Sequence, residues 1–164
     1  MGYPRTGVWV AAAAATLVCT SALAKDHFKA DLDGYQETPA VSSTGTGEFR
    51  AHVSKDQTSI EFEFIYAGLE GGNSLFAHIH FGQPGVAGGV AAFLCGGSTK
   101  PTPCPNVEGT VTGTITAADI IGPNGQGIEP GSFVELLRAM DEKVTYVNIH
   151  TTRWPSGEIR GVIK

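Results

Sequence analysis

Charge is scarce in this 164-residue chain: only 16% of the residues are Asp, Glu, Lys or Arg, and the balance is acidic, with a formal net charge of −5. No basic cluster offsets it, so a phosphate backbone or an anionic bilayer would meet net repulsion, and nucleic acid is excluded as a partner. No stretch has the length or charge pattern of a coiled coil. No serine sits on a nucleophile elbow, which leaves Ser-His-Asp chemistry without a signature. The Gly-rich run Gly82 to Gly89 lacks the strand-to-helix setting, the lysine and the Ser or Thr of a phosphate-binding loop. Cysteine is rare too, at three residues.

What is abundant is turn chemistry. With 22 Gly and 9 Pro and a mean hydropathy near zero, the chain reads as many short strands joined by tight turns. Its length fits one domain that can bury a sizeable core.

The first residues read as an export leader. Arg5 precedes an apolar run from Val8 through Val18, and Ala22-Leu23-Ala24 gives the small-x-small pattern cut by a signal peptidase. The expected organisation is a signal peptide over 1–24 and one domain over 25–164, exported to the periplasm or secreted. A membrane anchor fits less well, because the run falls short of the ~20 residues that span a bilayer, and no membrane insertion is expected after cleavage. Lipidation at Cys19 is disfavoured because Thr16-Leu17-Val18 puts no small residue next to it. Cleavage leaves Cys95 and Cys104, an even pair in an oxidising compartment. A disulfide closing the loop between them is expected, worth on the order of 2 to 3 kcal/mol. A metal site on this pair is the minor reading, since neither cysteine has a histidine nearby.

Alternation of apolar and polar residues marks the strands. They fall at His27–Leu32, Glu48–Val53, Ser59–Tyr66, Phe76–Phe81, Val90–Leu94, Val107–Thr116, Val144–Thr151 and Glu158–Ile163. One helix is expected over Pro130–Met140, where Phe133, Leu136, Leu137 and Met140 recur at spacings of three and four. Short strands at this spacing, with one short late helix, predict an all-β fold, a β-sandwich or a Greek-key barrel.

Two strands carry the chemistry. In Phe76-Ala77-His78-Ile79-His80-Phe81, Ala77, Ile79 and Phe81 share one face and Phe76, His78 and His80 the other. In Tyr146-Val147-Asn148-Ile149-His150-Thr151, Val147 and Ile149 are the apolar face and Tyr146, Asn148 and His150 the opposite one. With both apolar faces in one core, three imidazoles converge on the other side. Neutral imidazole suits copper and zinc. His27 and His52, on early strands, are expected at the surface.

The blocks at 76–82, 146–151 and Pro155-Ser156-Gly157-Glu158-Ile159-Arg160-Gly161, with Leu32 to Pro39 as an opening block, resemble the signature of the CHRD domain. This module is named after chordin and is widespread in exported bacterial proteins. The resemblance covers the chain from about Phe28 to the end and implies an immunoglobulin-like β-sandwich or barrel, with no activity common to the family. The Cys95 to Cys104 loop reads as an insertion, and Ala87-Gly88-Gly89 stands where an Asn-Gly pair is expected. The histidine pattern is also similar, as an analogy, to the copper half of Cu/Zn superoxide dismutase. That enzyme's zinc loop has no counterpart here, so the geometry carries over and the activity does not.

Two readings follow. The first is an exported protein binding a transition metal through His78, His80 and His150, copper favoured over zinc, with Asn148, Glu158 and Arg160 around the site. No catalytic residue is assigned, and redox activity at copper is the one activity this reading leaves open. The second is a structural or protein-interaction module of the cell envelope, meeting an envelope or extracellular protein, with the histidines as a hydrogen-bonded scaffold.

Overall fold

The computed structural model describes Gly2 and residues 25–164. The expected leader, its cleavage site and Cys19 lie outside the described residues. Eight strands follow in order: β1 His27–Asp33, β2 Thr46–Val53, β3 Ser59–Ala67, β4 Ser74–Phe81, β5 Gly89–Cys95, β6 Gly109–Thr116, β7 Thr145–Thr151 and β8 Ile159–Val162. Each expected strand is present, with ends moved by a few residues.

All neighbouring strands pair antiparallel in one sheet of order β5-β4-β7-β8-β1-β2-β3-β6. The sheet curls until its two ends meet. Ala92 of β5 bridges Ile120, just past β6, and the Ile121 N–H donates to the Ala91 carbonyl at 2.9 Å. Of the two expected architectures, the fold is therefore the nearly closed barrel. The seam that makes one sheet of two halves is β8 on β1: Asp33 faces Arg160, and Lys29 and Lys164 exchange backbone hydrogen bonds at 3.0 and 2.8 Å.

Alternation decides what fills the barrel. Phe28, Ala30 and Leu32 of β1, Phe49, Ala51 and Val53 of β2 and Ile60, Phe62 and Phe64 of β3 are buried inward. From the other half come Ala77, Ile79, Val147, Ile149 and Ile159. Each large apolar side chain contributes about 1.5–3 kcal/mol by leaving water.

The helix α1 spans Phe133–Asp141, opening three residues after the expected start at Pro130. Gly131 explains the delay: at φ +85° it turns the chain left-handed, so the helix opens only after Ser132. The stripe itself behaves as expected, with Phe133, Leu136, Leu137 and Met140 buried in the barrel's core cluster. Among the described residues no helix is long and apolar enough to cross a membrane.

Cys95 and Cys104 form the expected disulfide at the end of β5. The loop it closes is held further by a Gly97 N–H to Lys100 carbonyl bond of 3.0 Å and by an ion pair between Lys100 and Asp119.

Candidate metal centre

Strands β4 and β7 are direct neighbours, paired Phe76 with His150, His78 with Asn148 and His80 with Tyr146. Their inward residues, Ala77, Ile79, Val147 and Ile149, are fully buried in the core. The residues between them face outward, as the period of two requires. They do not face water. His78, His80 and His150 are 3%, 7% and 6% exposed, because loops fold over this part of the barrel wall.

The three imidazoles meet. Ring centroids lie 4.4 Å apart for His78 and His80, 4.5 Å for His78 and His150 and 6.3 Å for His80 and His150. One ring nitrogen from each lies within 4.8 Å of the other two. Metal–imidazole bonds of about 2.0–2.1 Å draw two nitrogens to within about 4.2 Å of each other, so a shared ion needs only a small inward rotation of the rings.

Hydrogen bonding sorts the ring nitrogens. Nδ1 of His80 meets the Gly88 carbonyl at 2.8 Å and Nδ1 of His150 meets the Pro155 carbonyl at 2.9 Å. A carbonyl can only accept, so His80 carries its proton on Nδ1 and offers Nε2 as a lone pair, while Nδ1 of His150 is placed to donate to Pro155. Nε2 of His80 and Nδ1 of His78 are buried and meet no hydrogen-bond partner. With the His78 proton on Nε2 both are lone pairs, and two buried lone pairs are costly unless a hydrogen donor or a cation meets them. They fit a metal ion, which the third nitrogen, Nε2 of His150, can join.

Asn148 stands beside that third nitrogen, its side-chain oxygen 3.0 Å from His150 Nε2. That oxygen and the Pro155 carbonyl can only accept, so a neutral His150 donates its one proton to one of them at a time, and with the proton on Nδ1 its Nε2 is free to ligate. The amide NH2 donates to Glu37 Oε1 at 3.4 Å. Burial pushes the Glu37 carboxyl up, against the opposing pull of the Thr38 N–H, Arg160 and the Asn148 amide.

Electrostatics hold all three rings neutral. Burial, reinforced by the neighbouring His80 and His150, takes the His78 imidazole down to about 2. Burial takes His80 to about 4 and also lowers His150. Neutral imidazole is the form that ligates metal.

Aromatic rings wall the site. Phe76 packs on His150 at 4.7 Å and on His78 at 5.3 Å, while Phe93 meets His78 edge-on at 5.3 Å. Tyr146 stacks parallel on His80 at 4.6 Å, and its hydroxyl accepts from the Gly88 N–H at 3.0 Å. Gly88 has to be glycine: a Cβ there would sit 1.9 Å from the Phe81 carbonyl oxygen. The glycine-rich connection thus covers His80.

The other expected neighbours separate. Arg160 is buried, its guanidinium 3.4 Å from the Tyr146 ring centroid, donating to Thr38 Oγ1 at 3.1 Å and to the carbonyls of Gln83 and Val86. Glu158 does not touch an imidazole. It lies just before β8, and its carboxylate accepts from Ser43 Oγ at 2.7 Å, the Glu70 and Gly71 N–H groups at 2.6 and 3.0 Å and Thr151 Oγ1 at 2.8 Å. It pins two loops to the barrel instead. His27 and His52 are exposed on β1 and β2, facing each other across the ladder with rings 4.4 Å apart, outside the histidine cluster.

Glu37, Thr38, Phe93 and the carbonyls of Gln83, Val86, Gly88 and Pro155 complete the surroundings. Carbonyls leave no trace in side-chain identity, and Glu37 and Thr38 were visible only as part of the opening block. No curated protein matches the sequence. The family model of the CHRD domain matches residues 28–163, nearly the whole described barrel, and the chain belongs to the CHRD domain family.

Proposed function

We propose that this protein is an exported metal-binding protein that holds one transition-metal ion, copper in preference to zinc, on His78, His80 and His150. The observation that carries the reading is the pair of buried, unpartnered ring nitrogens on His78 and His80, within reach of His150. Two of the rings have the other nitrogen fixed by a backbone carbonyl, the outer contact that sets tautomer and direction in metal-ligating histidines. Export is supported by the leader pattern at the N-terminus and by the Cys95–Cys104 disulfide, a bond at home in oxidising compartments.

A purely scaffolding role draws support from the packing of Phe76 and Tyr146 on the imidazoles. Packing alone gives no reason to bury nitrogens without partners, and Phe or Leu would fill the same space without that cost.

The test is metal retention. Mature protein loaded with copper and passed through a desalting column should keep close to one equivalent by elemental analysis. His80→Ala and His150→Ala should each lower affinity at least a hundredfold while the protein still folds. A folded, unmutated protein that keeps no metal ends this reading.

A further inference from the structure

The charge around the three imidazoles points to the oxidation state of the ion. All three donors are neutral, and no carboxylate stands among them. Glu37, the acid nearest by hydrogen bonding, accepts from Asn148, is itself buried and lies within electrostatic reach of Arg160. Against this stands one full positive charge. Arg160 is 2% exposed and its recorded partners are all uncharged: Thr38 Oγ1, two backbone carbonyls and the face of Tyr146. The other face of Tyr146 carries His80, with ring planes only 8° apart, so the guanidinium sits one aromatic ring from a ligand.

We infer that the site selects a monovalent ion, Cu(I), over divalent Cu(II) and Zn(II), and that Arg160 is the residue setting this preference. The inference rests on the metal-binding reading above. The cost of moving an ion out of water grows with the square of its charge, and repulsion from a fixed cation grows in proportion to it. With Arg160 at +1 and Glu37 at 0 or −1, the surroundings supply no net negative charge to offset that cost. A divalent ion here would need an anionic ligand, and the donor set has none. Three imidazole nitrogens without a charged fourth donor suffice for Cu(I), which accepts low coordination numbers. The rings of Phe76, Phe93 and Tyr146 leave little room for the waters that Zn(II) or Cu(II) would add.

The experiment uses the mature protein and the metals alone. Dissociation constants for Cu(I), measured anaerobically by competition with a chromophoric Cu(I) chelator, are compared with those for Cu(II) and Zn(II) in the same buffer. Cu(I) should bind at least a thousandfold tighter than either. Arg160→Gln, neutral but still a donor, should narrow the Cu(I) over Cu(II) preference at least tenfold. That change lowers the copper reduction potential by about 59 mV per tenfold for a one-electron couple. Arg160→Lys, which keeps the charge, should stay within about threefold of the unmutated protein.

Equal affinity for Cu(I) and Cu(II) in the unmutated protein overturns the inference while leaving the metal-binding reading standing. So does an Arg160→Gln protein whose preference is unchanged. Loss of all metal in the unmutated protein ends both. Should Arg160→Gln fail to fold, the unmutated protein's preference still decides, because a preference below a thousandfold refutes the proposal without any variant.

Discussion

The outer face of β1–β2–β3 and the outer face of β4–β7–β8 follow the same rule and meet opposite fates. In both, alternation turns the apolar side chains into the barrel and the polar ones out. On the first, Arg50 bonds Glu48 at 2.7 and 2.8 Å, approaches Glu63 at 4.0 Å and stays in water, and the stacked His27–His52 pair is exposed beside them. On the second, the Gly82–Gly88 connection and the segment around Glu37 and Thr38 close over His78, His80, His150 and Arg160. A polar stripe on a strand is only a surface until a loop covers it. Covering it takes water away, and water was what made those groups inexpensive.

The largest expected contrast between the two faces is in acid. The three covered imidazoles are held below their ordinary value of 6.5, to about 2 for His78 and about 4 for His80. The unfolded chain therefore takes up protons near pH 6.5 that the folded chain refuses, so this contribution to stability is complete above pH 6.5 and is lost as the pH falls toward 4. Glu37 works in the opposite sense, since its carboxyl is raised by burial and favours the fold at low pH. Three rings outweigh one carboxyl. Urea unfolding of metal-free protein should lose several kcal/mol between pH 7 and pH 4. His80→Phe, which keeps the stack on Tyr146, should flatten the slope. A flat profile in the unmutated protein would place these rings in water after all.

How much of this was legible beforehand depends on which group carried the information. The strand alternation is written in side chains, so Ala77 and Ile79 against His78 and His80, and Val147 and Ile149 against Asn148 and His150, could be placed on their faces from spacing alone. The convergence of three imidazoles followed from one assumption, that these strands are neighbours, and β4 pairs β7 directly. Single-sheet closure was not legible, because it depends on β8 joining β1 through backbone bonds that any residue could make. Nor was the destination of Glu158. A Glu two residues before an Arg on a strand looks like part of one polar face, yet β8 starts only at Ile159, and the carboxylate turns to free N–H groups at Glu70 and Gly71. Loop carbonyls were invisible for the same reason: every residue has one.

Glu158 also gives the next contrast, between a covered and an uncovered carboxylate. Glu158 is fully buried and serves four donors, whereas Glu63 lies on the exposed face at the end of a 4.0 Å ion pair. Glu158→Ala leaves buried N–H and hydroxyl groups unpaired and should cost about 3 kcal/mol or more in denaturant unfolding. Glu63→Ala should change stability by no more than about 0.5 kcal/mol. Equal losses from the two would mean that the Glu70–Gly71 loop is not held by this carboxylate.

The smallest expected effect is the most specific control on the comparison. His27 and His52 are as close as His78 and His80, with ring centroids 4.4 Å apart in each pair, so proximity alone does not distinguish them. What differs is the cover. The exposed pair is open to solvent and has no third imidazole beside it, while in the covered pair His78 Nδ1 and His80 Nε2 are buried without a protein partner. His27→Ala and His52→Ala should therefore leave copper stoichiometry unchanged, keep affinity within about twofold and move stability by no more than about 0.5 kcal/mol. A loss of bound copper in either variant, read by the same desalting and elemental analysis, would show that adjacency of two rings is enough to hold the ion. The loops over β4–β7–β8 would then have no part in creating the site.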